Sequence, residues 1–111
     1  MKNYVQPGNT ITLTAPYAVA SGDGLLVGSI FGIASGAAAL GDPVETALVG
    51  VFDLTKVGSQ AWTAGAKVYW DDTNKRTTSV ATSNTLVGVA TEAVAGGAGD
   101  TIGRVRLNAS F

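Results

Sequence analysis

The side chains best suited to chemistry in this sequence are its carboxylates. Asp71 and Asp72 are adjacent, and Asp53 or Asp100 would complete an oxygen-donor cluster for a divalent cation, or an acid–base pair. Their neighbours point elsewhere. In Asp71-Asp72-Thr73-Asn74-Lys75 the Asp and Asn side chains are of the kind that bond their own turn amides, and the Gly and distal Glu of an EF-hand loop are missing. Ser21-Gly22-Asp23-Gly24 has the glycines of a phosphate loop but not its lysine. It leads into strand-like Leu25-Leu26-Val27 rather than a helix N-terminus, so it reads as a tight turn. The chain has no histidine, which excludes a Ser-His-Asp triad, and no cysteine, which excludes disulfides and thiolate metal sites. No serine shares a recognisable motif with a lysine. The expectation is no catalytic residue, no cofactor and no metal.

Charge is equally uninformative about a polyanion partner. Seven Lys and Arg against eight Asp and Glu leave a net charge of −1, with 14% of residues charged. That balance gives no long-range attraction to nucleic acid or an anionic membrane. Arg104, Arg106, Lys75 and Arg76 would make a small basic patch. Without an aromatic platform it reads as a solvated face, or second as a contact with an acidic protein partner. Trp62, Tyr69 and Trp70 read as core or subunit interface. A mean hydropathy of +0.28 with 46% hydrophobic residues argues against disorder. It also leaves a low-charge surface of the kind that other copies or a partner cover. The apolar run from Leu25 to Leu40 is interrupted by Gly28, Gly32 and Gly36 and is too short to span a bilayer. Met1 to Gly8 lacks the apolar stretch of a signal peptide, so a soluble protein made in a cytoplasm is expected.

The elements that must position these residues are strands. Ala64 to Thr78 is the clearest: a glycine turn, then Lys67-Val68-Tyr69-Trp70 with Val68 and Trp70 on one face. A reversal of about five residues follows over Asp71 to Lys75, then a Thr-rich return strand from Arg76 to Val80. Thr10 to Thr14 alternates strictly, with Ile11 and Leu13 inward. Leu25 to Ala34 lacks a period of two and reads as buried on both faces or bent at its glycines. Ser35 to Pro43 is a small-residue loop, Val44 to Leu54 the most apolar strand, and Lys56 to Gln60 a connector. Thr85 to Thr91 is a glycine-bent strand. Ile102 to Leu107 alternates, with Val105 and Leu107 inward and the arginines outward. Ser21–Val27 resembles Ala64–Trp70, Ile30–Ala34 resembles Leu86–Ala90, and Thr46–Phe52 is matched with Thr101–Leu107. The fold expected is all-β: one small domain over residues 9–111, a β-barrel or sandwich with little or no helix, after an arm of residues 1–8. Two pseudo-repeated three-stranded units closing on each other are one way to build it.

The ordered set Met1-Lys2-Asn3-Tyr4-Val5-Gln6-Pro7-Gly8, Thr10–Pro16, Ser21–Gly24, Leu26-Val27-Gly28, Phe31–Ala34, Gly50-Val51-Phe52, Lys67–Asp71, Leu86–Val89 and Gly103–Leu107 resembles the phage capsid cement, or head decoration, family over essentially the whole chain. The resemblance implies a non-enzymatic β protein that binds the outer surface of an assembled phage head and stabilises it. It further implies a homotrimer bridging subunits of the major capsid protein. Within that picture, Lys2, Asn3, Tyr4, Val5, Gln6, Arg104 and Arg106 are the expected capsid contacts, and Leu48, Val49, Val51 and Phe52 the expected oligomer interface. Neither nucleic acid nor membrane is an expected partner. A sugar- or host-binding module of the virion is the alternative, and it would need exposed Trp or Tyr.

Overall fold

The computed structural model describes residues 8–108. It contains nine strands: β1 (Thr10–Thr14), β2 (Gly24–Val27), β3 (Ile30–Ala34), β4 (Pro43–Ala47), β5 (Val51–Thr55), β6 (Lys67–Asp71), β7 (Arg76–Thr78), β8 (Thr85–Ala90) and β9 (Ile102–Leu107). They form two antiparallel sheets, β1-β4-β3-β2 and β5-β9-β8-β6-β7. The fold is all-β, as the alternating patterns require.

Two apolar runs are divided differently from the sequence reading. Leu25 to Ala34 is a hairpin, turned at Gly28 (φ 59°) and Ser29. Val44 to Leu54 is two strands in different sheets, parted at Gly50, whose φ of 126° a residue with a side chain rarely adopts. Hydrophobicity alone does not reveal either break, because both pieces of each run are buried on at least one side. The Asp71-Lys75 reversal is present, with Asp71 paired to Arg76 across the turn.

The sheets trace one path twice. In each, three strands meander and an earlier strand returns beside the last, which is the Greek-key order. Backbone bonds match pair for pair. Gly22 N–H to Ala34 O corresponds to Gly65 N–H to Ala90 O, and the two-way Val19–Ala38 pair corresponds to Trp62–Val94. Ser35 to Glu45 corresponds to Thr91 to Arg104, and Ala15 to Asp42 corresponds to Lys56 to Thr101. Two of the three sequence matches follow this correspondence. The third does not: the counterpart of β9 is Pro43–Ala47, not Thr46–Phe52, and β1 and β5 add a fourth strand to each unit.

The halves differ by β7 and its loops, and so do not simply close on each other. In the first half β2 turns directly into β3. In the second, β7 follows β6 in the chain before β8, pairs on the free side of β6 and carries the sheet round to β5. Lys56 and Thr77 form a parallel bridge, Val57 N–H donates to Thr77 O at 3.0 Å, and the Thr77 hydroxyl donates to Thr55 O at 2.7 Å. The second sheet is thereby rolled into a small barrel, filled by Leu54, Trp62, Val68, Trp70, Val87, Ala90, Val105 and Leu107. Phe31 and Ile33 from the first sheet join this core, with the Phe31 and Trp70 rings 5.0 Å apart and tilted by 48°. Ala15, Val19, Leu25, Ala34 and Val44 make a smaller cluster inside the first sheet.

Gly32 and Gly88 occupy the same place in the two units. A Cβ at Gly32 would press on Thr46 and lie 2.7 Å from Ala47 O; at Gly88 it would overlap Arg106 O and lie 3.1 Å from Val105 Cγ1. Backbone cannot move aside as a side chain tip can. Gly88→Ala is expected to cost about 3 kcal/mol, or on the order of 10–20 °C in Tm for a domain of this size. Gly36→Ala, into open space, should stay within about 0.5 kcal/mol of wild type in the same melt.

Candidate docking face on the second sheet

The carboxylates do not converge. Asp71 shapes its turn, accepting from Thr73 N–H at 3.0 Å, Asn74 N–H at 3.2 Å and Asn74 Nδ2 at 2.8 Å. The Asn74 side-chain bond, with those amides, holds its acid below the usual carboxylate value. Asp72 accepts from Trp70 Nε1 at 3.0 Å and Tyr17 Oη at 3.3 Å, and pairs with Lys75 at 3.4 Å. Asp53 takes a two-pronged bond from Arg104 at 2.9 and 3.2 Å, which lowers its acid. Asp100 caps Gly97 N–H at 3.0 Å. Each of the four has its own structural task. Among the described residues there is no group of three or more His, Cys, Asp or Glu placed to hold a metal.

The tryptophans are interior. Trp62 is 2% exposed and Trp70 3%, while Tyr69 is half-buried on the outer face of β6. Trp62 Nε1 donates to Gln60 Oε1 at 2.9 Å, so both indole N–H groups are satisfied by side chains at their own end of the barrel. Lys56, read from the sequence as part of a connector, is 1% exposed at the barrel seam. Its ammonium donates to Val57 O at 2.8 Å and Asp100 O at 3.1 Å and lies 5.5 Å from the Trp62 ring centre.

The expected contact residues fall into three groups. Lys2, Asn3, Tyr4, Val5 and Gln6 lie outside the described residues. Leu48 is 8% exposed, Phe52 is half-buried against the barrel core, and Val49 and Val51 are exposed. Arg104 is bound by Asp53 and lies 3.7 Å from Glu92. Among the described residues, Arg106 has no ion pair.

Register then joins residues that the sequence kept in separate groups. Val51 lies opposite Arg106, Arg106 opposite Val89, and Val89 opposite Lys67, one row across four strands on the outside of the barrel. Side chains opposite each other in antiparallel pairs stand about 5 Å apart, so this row is one continuous surface. A β-bulge between Val68 and Tyr69 shifts the pairing from Gly88 to Leu86, skipping Val87. Val87 thereby stays in the core and Leu86, 43% exposed, turns outward beside the row. Val51 is 52% and Ile102 55% exposed on the same face. Lys67, Leu86, Gly88, Val89, Arg106 and Asn108 line an open groove there. Among the described residues Lys67, like Arg106, has no ion pair. The groove is mostly apolar with two cations that have no ion pair among the described residues, and the exposed Asp53–Arg104 pair lies further along the same face; such a surface is suited to protein contact.

One titration reports on how the halves are held together. Tyr17, between β1 and β2, donates from Oη to Gly24 O at 3.0 Å, and Lys75 lies 4.1 Å from its ring centre. Burial first, and then the negative charge of Asp72, push its pKa from 10.0 to about 12. The neutral phenol is favoured in the fold, so its contribution is complete below pH 10 and is lost as pH rises towards about 12. Absorbance titration at high pH should show a component near pH 12 that Tyr17→Phe removes. Stability should fall between pH 10 and 12 in wild type and less in the variant.

A search of the curated proteins and of the solved structures found no match. The family model described as "Phage cement protein" matches residues 5–107. With a match of that extent, the protein belongs to the phage cement protein family.

Proposed function

We propose that this protein decorates the outer surface of an assembled phage head, binding major capsid protein and stabilising the shell without catalysing a reaction. The observation that carries this reading is the cement-family match over nearly the whole chain. Asp53, Asp71, Asp72 and Asp100 support it, because each is committed to a turn, a cap or an ion pair. A homotrimer is part of the proposal: a lattice multiplies many weak contacts into durable attachment, and linking three copies raises the effective concentration of each at its site. The arm of residues 1–8, with Lys2 to Gln6 as contacts, is the proposed capsid-binding segment. Arg104 is less suited to that role than first expected, since Asp53 and Glu92 already neutralise it. Burial of Trp62 and Trp70 weighs against the sugar-binding alternative, while Tyr69 stays half-buried on the outer face of β6.

Sedimentation with expanded, undecorated heads of the cognate phage tests the proposal. Saturable co-sedimentation at a lattice-fixed ratio is expected, together with heads that withstand higher temperature. Protein left wholly in the supernatant would refute it. Removing residues 1–6 should weaken retention on heads by roughly tenfold or more if the arm contributes even a few ordered contacts; unchanged retention would discard the arm as the contact.

A further inference from the structure

We infer that the outer wall of the barrel, centred on Lys67, Val89 and Arg106, is the seat of a second copy of this chain, which presents its acidic first half. This deepens the oligomer of the proposed function and rests on it; the contact itself is argued from the internal duplication and from the placing of charge.

The duplication gives each residue of the wall a counterpart. The row Val51–Arg106–Val89–Lys67 corresponds to Thr10–Ala47–Ile33–Gly24 in the first sheet. The Ile33–Gly24 end of that counterpart row is covered, while Thr10 is exposed and Ala47 half-buried. Ile33 is 3% exposed and Phe31 6%, both within the core that contains Leu54 and Trp70 of the second half, and Leu26 packs against the same core. A Cβ on Gly24 would meet the Trp70 ring at 2.8 Å, so second-half side chains press directly on this face. In the second half the equivalent face is open: Leu86 and Val51 are exposed and Val89 is only half-buried. The fold covers the β2–β3 part of this surface within the chain and leaves its duplicate on β6 and β8 uncovered.

Charge identifies what covers it. Six of the seven Lys and Arg residues lie in the second half, and the seventh is Lys2. From residue 8 to residue 50 the only charged residues are Asp23, Asp42 and Glu45. Among the described residues none of these three is ion-paired: Asp23 caps Ala20 N–H, and Glu45 accepts from the Thr12 hydroxyl. A chain whose charges from residue 8 to residue 50 are all negative, and whose second half carries on its wall two cations with no ion pair among the described residues, is complementary to itself head to tail. Two walls facing each other would instead oppose Lys67 and Arg106 to their own copies. A head-to-tail contact is heterologous, and it closes into a ring when the rotation between copies permits.

The test uses the full chain in two measurements. In sedimentation velocity at micromolar concentration, wild type should be oligomeric. Lys67→Glu/Arg106→Glu should melt as wild type does but dissociate at roughly 100-fold higher concentration, because like charges would now face each other. Carbodiimide, which joins amines directly to carboxylates, applied to mixed isotope-labelled and unlabelled protein, should yield intermolecular links from Lys67 to Asp23, Asp42 or Glu45. A monomeric wild type would overturn the inference. So would an oligomer undiminished in the variant, or intermolecular Lys67 links only to second-half carboxylates. A variant that keeps its oligomer but no longer sediments with heads would give this wall to the capsid, overturning the inference and leaving the decoration reading in place. An oligomer of the inferred kind that ignores heads would remove the decoration reading alone.

Discussion

The structure depends on the seam where the second sheet meets itself. A sheet with exposed edges leaves backbone donors and acceptors unpaired, which invites pairing with other chains. Here Val57 and Thr77 supply the missing backbone bond, the Thr77 hydroxyl adds a second, and both Thr77 and Lys56 are removed from water. Burying an ammonium is costly unless its protons are placed. Lys56 meets that requirement with two carbonyl oxygens and the face of Trp62. The same side chain thus ties the strand end, the loop before β9 and the core tryptophan to one point. Once the seam is closed, Trp62 and Trp70 have an interior to fill, and the first sheet has a surface on which to pack Phe31 and Ile33.

The internal duplication explains why one half is the stronger. Both units share a strand order and a set of backbone bonds, but only the second has β7. The added hairpin turns an open four-stranded sheet with a core of Ala, Val and Leu into a closed barrel with two tryptophans. Where the units agree most closely, the reason is backbone proximity: Gly32 and Gly88 each face the strand that carries the matching carbonyl, Ala47 or Arg106. Where they diverge, the sequence has changed what each face meets. Ile33 is covered, and its counterpart Val89 stands in a row with two cations.

This arrangement suits a protein that acts by being held in place. Asp53, Asp71, Asp72 and Asp100 are spent on turns, a cap and ion pairs, and both tryptophans on the core. What remains for recognition is low in charge and spread over a broad sheet face. Cement on a lattice needs that economy, since avidity over many sites replaces a deep pocket at one.

The sequence by itself determined the class of the fold, the strands with strict alternation, the Asp71-to-Lys75 turn and the kinship with cement proteins. Each is written in local spacing or in an ordered set of short motifs. Two parts of the repeat were legible for the same reason, because Gly22 and Gly65 begin matching turns and Gly32 and Gly88 interrupt matching strands. Tertiary structure decided the rest. Whether Val44 to Leu54 is one strand or two depends on which sheet each end joins, and hydrophobicity is the same in either case. That Phe52 packs against the core while Val51 faces out follows from pairing with β9, a strand about fifty residues away. The row Val51–Arg106–Val89–Lys67 exists only once β5, β9, β8 and β6 lie side by side, and Leu86 joins it only through a bulge. A chain specifies its turns over a few neighbours, but it specifies a surface through register between strands that are remote in sequence.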